Sequence, residues 1–279
     1  MAKRKRLNEI EKRIKEGRGT GEGSEYKPWI KIQDVPPKGR ATRLKGIKTK
    51  RQHEFLSDME RNYFYFLEYS SDVIDIREQY PLLPIGDTIS IAEELGVEHP
   101  KNPKTGEFIV LTTDFLVTTY INSKAKSIAR TIKSKDDLVN KRVIEKFEIE
   151  RVYWRKKEID WGIVTEFEID KVVANNIAFI HGYRDLRSID SFNELTLAEI
   201  QDLVYEFIKR VIDENRSVRE ICTEFDDDMM LEIGTGISIF KYLLINKIIE
   251  IDLKSKININ KPIKIKRVNE DIEGKVKVV

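Results

Sequence analysis

One cysteine, Cys222, stands in 279 residues. That excludes an intrachain disulfide and a cysteine zinc cluster, and it fits a reducing compartment. Histidine is nearly as scarce. His53, His99 and His181 are too far apart in sequence to suggest a zinc site, and read as ordinary surface or core residues. No run approaches the ~18–20 apolar residues of a membrane span. The basic start, Lys3-Arg4-Lys5-Arg6, leads into Glu9, Glu11 and Lys12 rather than an apolar stretch, so it does not read as a secretory signal. The expectation is a soluble, cytoplasmic protein with no membrane partner. An internal repeat of about 20–50 residues is also missing, which argues against solenoids and propellers.

Net charge is nearly absent too: 50 Lys+Arg against 48 Asp+Glu leave +2. The distribution is more informative. Residues 1–60 hold 17 Lys/Arg against 9 Asp/Glu, residues 194–232 hold 12 acids against 4 bases, and the tail from Ile251 is basic again. Such segregation suggests one face for a polyanion and another for a basic partner. Hydrophobic residues make up 40% of the chain, enough for a packed core, and the length allows one large domain or two ordinary ones.

The first 16 residues have helical composition from Arg4 to Glu16. The glycines from Gly17 to Gly23 then predict a flexible joint. Pro28 to Ile32 predicts a short strand, ended by Pro36-Pro37-Lys38-Gly39. A basic arm follows: Arg40, Arg43, Lys45, Lys48, Lys50 and Arg51. Ser57-Asp58 predicts the cap of a helix with Met59, Tyr63, Phe66 and Leu67 on its apolar side. Strands are predicted at 73–76, closed at Tyr80-Pro81, and at 108–117. A turn at Asn122-Ser123 then makes a hairpin with a strand at 127–133. A long helix is predicted over 136–157, a buried strand over 161–165, and a helix from Asp170 toward Ile180. Strands interleaved with helices indicate an α/β fold. Beyond about residue 185 the order is helix (195–215), helix (217–225), short helix (236–244), then strands at 248–252 and 256–259. That is the order of a winged helix-turn-helix module. The domains are therefore read as 1–184, catalytic with a basic N-terminal arm, and 185–279, a mainly α winged-helix domain.

Three residues could do chemistry together. Glu60 falls on the first turn of a helix, Asp114 on a strand, and Lys133 at the end of the strand that returns. If those strands pair, Asp114 and Lys133 share a sheet edge. Hydrolysing a phosphodiester needs oxygen ligands for Mg²⁺ and a group that positions water or stabilises developing charge. Glu, Asp and Lys on helix, strand and strand form the pattern of restriction-endonuclease-like nucleases. The plainer reading is a favourable acid in a helix first turn, a strand-end aspartate and a solvent-facing lysine.

Longer strings carry a resemblance. Residues 13–19 (RIKEGRG), 26–29 (YKPW), 56–60 (LSDME), 75–84 (DIREQYPLLP), 113–117 (TDFLV) and 146–154 (KFEIERVYW) resemble the TnsA family, the endonuclease subunit of a heteromeric bacterial transposase. The resemblance covers most of residues 10–180 and is weaker beyond. It implies a restriction-endonuclease-like domain followed by a winged-helix domain, Mg²⁺ as cofactor with Mn²⁺ as a substitute, and nicking of the 5′ strands at transposon ends. It implies as partners DNA, a TnsB-like transposase that cuts the 3′ strands, and a TnsC-like ATPase regulator. The family's catalytic glutamate falls on Glu60, its metal-binding aspartate on Asp114, its lysine on Lys133 and a further acid on Glu150. Where the family carries glutamine two residues before the lysine, this chain has Thr131. The expected metal set is Glu60 and Asp114, completed by the Thr131 side chain and the Ile132 carbonyl. DNA contact is expected from Arg40, Arg43, Lys45, Lys48, Lys50, Arg51 and the N-terminal cluster, and protein docking from the acidic helices between 194 and 232. Arg77, Glu78 and Gln79 read equally as a salt-bridged turn or as positioning residues. Tyr153 and Trp154 read as core. The alternative function is a catalytically weak assembly protein linking the transposase to its ATPase. A standalone restriction or repair nuclease is a third.

Overall fold

The computed structural model describes residues 8–35, 40–212 and 215–269. The Lys3–Arg6 cluster and the Pro36–Gly39 segment lie outside them. Contacts divide the chain into two compact units between Ile169 and Asp170.

The first unit begins with α1 (Glu9–Lys15), closed by a capping box between Asn8 and Glu11. The glycine-rich stretch after it, expected to be a flexible joint, is an ordered loop. Arg18 is buried and donates to the Trp29 carbonyl at 3.1 Å, with Asp34 and Glu16 as ion partners. Gly19 has φ +77°, and a Cβ there would sit 2.2 Å from the Pro81 ring, so the chain needs glycine to approach so closely. Residues 28–32 form no strand. The Trp29 N–H instead donates to the Gln79 carbonyl, and a short 3₁₀ turn follows over Ile32–Asp34.

The basic arm folds into a hairpin, β1 (Thr42–Lys45) against β2 (Gln52–Phe55). Ser57 then caps α2 (Asp58–Tyr69) as expected from the sequence. A four-stranded sheet follows: β3 (Val73–Pro81), β4 (Thr112–Ile121), β5 (Lys124–Ile132) and β6 (Asp160–Val164), in that spatial order. The first two pairings are antiparallel and the β5–β6 pairing is parallel. Strand alternation sends side chains to two cores. Phe115 and Val117 of β4 pack with Phe64 and Leu67 of α2. Leu116 packs on the opposite face with Ile91 of α3 (Ile85–Glu94) and with Ile149, Val152 and Trp154 of α4 (Lys141–Lys156). The unit is thus a mixed sheet with helices on both faces, which fits an α/β endonuclease-like domain. Tyr153 and Trp154 are core, as read from the sequence.

Edge strand β3 is covered rather than open. Tyr26 Oη donates to the Glu78 carbonyl, Arg51 to the Ile76 carbonyl, and the Gly23 N–H to the Asp75 side chain. This shields backbone groups that would otherwise invite strand pairing.

The second unit opens with α5 (Lys171–Ile180), capped by Asp170. A boundary at 184/185, as expected from the sequence, would leave this helix in the first domain. In the structure α5 belongs to the second unit, because the Asn176 amide bonds the backbone of Leu253, Ser255 and Ile257. Helices α6 (Leu197–Val211), α7 (Val218–Asp228) and α8 (Thr235–Ile245) follow, the first two opened by Thr196/Glu199 and Ser217/Glu220 capping boxes. Phe207 meets Phe225 edge-on at 5.1 Å, and α7 lies so close to α8 that a Cβ on Gly236 would meet Cys222 backbone at 3.1 Å. Cys222 is buried there, which pushes its thiol up to about 12 and leaves it no nucleophile. A two-residue strand pair, β7 (Ile249–Glu250) with β8 (Arg267–Val268), ends the unit. The partner of β7 was expected at 256–259. That stretch is spent on helix contacts instead: the Ile257 N–H goes to Asn176 and the Ile259 carbonyl takes the Arg219 N–H. No described helix is long and apolar enough to cross a membrane.

Candidate active site

Three elements of the first unit converge at one end of the sheet. Glu60 stands in the first turn of α2 because Ser57 caps that helix. Its carboxylate accepts from the Leu56 N–H at 3.1 Å and the Ser57 hydroxyl at 2.9 Å. Asp114 stands near the start of β4. The β4–β5 pairing runs from the hairpin to Phe115 opposite Arg130; beyond it, the Asp114 carboxylate takes the Ile132 N–H at 2.7 Å. Lys133 follows directly after β5, its own N–H held by the Val164 carbonyl and its Nζ 3.0 Å from Asp137. Glu60, Ile132 and Lys133 line a cleft of about 380 Å³ together with Leu56, Ser57 and Asp137.

Burial and the neighbouring Asp114 charge push the Glu60 carboxyl well above the usual carboxylate range. Burial also raises Asp114, against the opposing pull of the Ile132 N–H, the Gln79 amide and Lys133. Two like charges held in a poorly solvated place resist ionising together, and a cation between them would relieve both. This fits Mg²⁺, which takes one or two carboxylates and fills its remaining positions with water and phosphate oxygen. Among the described residues no group of three or more His, Cys, Asp or Glu side chains is arranged to hold a metal, so the protein's own share is small.

Thr131 and Glu150 lie in a different constellation. Glu150 Oε1 accepts from the hydroxyls of Thr113 (2.6 Å) and Thr131 and from Trp161 Nε1 (2.9 Å). Trp154 Nε1 donates in turn to Thr113. Burial lifts Glu150 to about 7 despite those donors, with the Asp114 charge adding to the rise. The Thr131 hydroxyl is therefore committed to Glu150, on the α4 side of the sheet. Ile132 is placed beside Asp114 through its N–H.

The triplet after Ile76 divides by role. Arg77 pairs with Asp75 and Glu22, and Glu78 with Arg51 and His53, so these two are structural. Gln79 belongs to the site. It is 3% exposed, has φ +49°, and donates from Nε2 to Asp114 Oδ1 at 3.1 Å while Thr112 holds its Oε1. Gln79 also contributes a small lowering of Glu60 against the burial that raises it. The left-handed backbone is a strain that bulky residues rarely accept, and it occurs here beside the carboxylates. Nothing in local sequence pattern announces it.

The basic arm is not uniform. Arg40, Arg43, Lys45 and Lys50 are exposed. Lys48 Nζ is bound to the Ser70 carbonyl. Arg51, expected on the DNA face, is a correction: its guanidinium is buried against Glu78 and the Ile76 carbonyl, over the Tyr26 ring. A cation neutralised inside the fold has none to offer a phosphate.

Residues 70–166 match a family model described as TnsA-like endonuclease N terminal, and residues 168–253 one described as TnsA endonuclease C terminal. Transposon Tn7 transposition protein TnsA of Escherichia coli is 37% identical over 253 residues, covering 91% of this chain and 89% of that protein. The chain belongs to the TnsA endonuclease family. Asp114, Lys133 and Glu150 fall inside the N-terminal match, and Glu60 lies ahead of it. The two matches meet between 166 and 168, beside the division of the structure into units and ahead of the 184/185 boundary read from the sequence.

Proposed function

We propose that this TnsA-family protein is the Mg²⁺-dependent endonuclease subunit of a heteromeric transposase, nicking the 5′ strands at transposon ends. The observation that carries the reading is a cleft lined by Glu60 and Lys133 with the buried Asp114 held beside it through the Ile132 N–H, both carboxylates being raised by burial. Glu60 and Asp114 would hold the cation, with the Ile132 carbonyl as a further oxygen and Mn²⁺ as a substitute ion. The cation would supply neutralisation of charge developing on the scissile phosphate. Gln79 holds Asp114 through its amide. Lys133, released from Asp137 toward substrate, positions water or stabilises the phosphate oxygens. Glu150, bonded by Thr113, Thr131 and Trp161, braces the β4 and β5 ends that carry Asp114 and Lys133.

The competing assembly-protein reading starts from Thr131 in place of glutamine. Its hydroxyl serves Glu150, and Gln79 brings an amide to the Glu60–Asp114 pair, so loss of the family glutamine does not strip the site of neutral polar groups. The partners proposed are DNA, a TnsB-like transposase and a TnsC-like ATPase, with the second unit taken as a winged-helix module whose acidic helices dock protein. Lys133→Ala tests the site: in the presence of the partner transposase, 5′-strand nicking falls by at least about 100-fold, while DNA binding persists. Undiminished nicking would remove Lys133 from the chemistry.

A further inference from the structure

The basic tail is a shaped surface in the second unit. Residues 253–267 hold Lys254, Lys256, Lys261, Lys264, Lys266 and Arg267, and no Asp or Glu. All six basic side chains are exposed, while the intervening Ile257, Ile259, Ile263 and Ile265 are half-buried. The loop is pinned at several points. The Asn176 amide donates to the Leu253 and Ser255 carbonyls, both at 2.8 Å, and accepts from the Ile257 N–H at 3.0 Å. The Arg219 N–H donates to the Ile259 carbonyl at 2.8 Å, Pro262 bridges to Ser217, and the β7–β8 pair closes the end. Within the loop, ion pairing among the described residues is limited to Lys266 with Asp252 at 3.3 Å.

We propose that this loop is a second contact with the sugar–phosphate backbone of duplex DNA, separate from the arm around Arg40–Lys50. The proposal rests on the reading of the protein as a DNA-cleaving subunit. A pinned row of cations loses little conformational freedom on binding and releases counterions from the phosphates it neutralises. The chemistry favours DNA over an acidic protein or a membrane. The loop has no aromatic residue and no large exposed apolar side chain, and so lacks both the anchors of a protein interface and those of a membrane insertion. It also lies beyond the C-terminal family match, which ends at 253.

The test uses the full chain and a fluorescent duplex of about three helical turns, titrated by anisotropy between roughly 50 and 200 mM salt. Wild type is compared with the combined Lys254→Gln, Lys256→Gln, Lys261→Gln, Lys264→Gln variant, and with the single Lys264→Glu variant as a milder change. The expected result is affinity at least about tenfold weaker for the combined variant and a slope of log K against log salt shallower by about 2–4, with a smaller shift for the single variant. Matching affinity and slope in wild type and variants overturns the proposal. So does failure of wild type to bind the duplex at about 50 mM salt, or a defect confined to assembly with the transposase. Strand cleavage with the partner transposase is scored on the same preparations. Cleavage by wild type with no binding difference in the variants removes the loop contact and leaves the nuclease reading standing.

Discussion

At the residue scale, Gln79 shows what the fold concedes to the site. A β-strand residue with φ +49° costs about 1–2 kcal/mol, and the amide it places beside Asp114 is the visible return. Gln79→Gly should therefore be more stable than Gln79→Ala by about 1 kcal/mol in urea unfolding, while both lose most nicking activity. Equal stability would remove the strain argument, and full activity in either would remove the positioning role. Glu78 carries a second prediction. Burial opposes its charge, but His53 and Arg51 outweigh burial and draw it from 4.5 to about 2. A folded-state value below the unfolded one means that the stabilisation is fully present above about pH 4.5 and is lost as the pH falls toward about 2. The difference is worth about 3 kcal/mol by linkage. Glu78→Gln should flatten the acid limb of stability over that window. Arg51→Met, which leaves Glu78 buried with a partner removed, should cost about 3–5 kcal/mol at neutral pH. Lys50→Met, at an exposed position, should cost less than about 0.5 kcal/mol.

At the element scale, the parts legible in the sequence were those with local signals. Ser57 before Asp58 and Asp170 before Lys171 each mark a real helix start. Asn122-Ser123 marks a real hairpin turn, both residues having positive φ. The misjudged parts depended on distant partners. The helix expected from Asp136 begins at Lys141, because Asn140 rather than Asp136 accepts the first free N–H groups, and a 3₁₀ segment precedes it. Asn140→Ala should cost about 1 kcal/mol in thermal or urea unfolding. Asp136→Ala should cost under half that, and the reverse order would misplace the cap. α3 had no expectation at all, and the glycine loop at 17–23 looked mobile because its order comes from Arg18 and from contact with Pro81. The β7 partner is not 256–259 because that stretch is bonded to Asn176 and Arg219, and β8 pairs in its place.

At the scale of the molecule, charge segregation was legible and its division of labour only partly so. Glu60, Asp114 and Lys133 could be matched to a nuclease pattern from residue types and strand order. The structural result is a cleft lined by Glu60 and Lys133, with Asp114 bonded to its Ile132 wall, together with the removal of Thr131 to Glu150 and of Arg51 to the interior. Exposed basic residues of the described chain include the arm at 40–50 and the loop at 253–267, with the acidic α6 and α7 between them in sequence. The most direct test is strand-specific cleavage of a transposon-end duplex by the protein with its partner transposase and Mg²⁺, comparing wild type with Asp114→Ala. A nuclease centred on Asp114 makes the 5′-strand cuts in wild type and loses them selectively in the variant, with 3′-strand cuts unchanged. Persistence of the 5′ cuts in Asp114→Ala, or their absence in wild type while the 3′ strand is still cut, would contradict it.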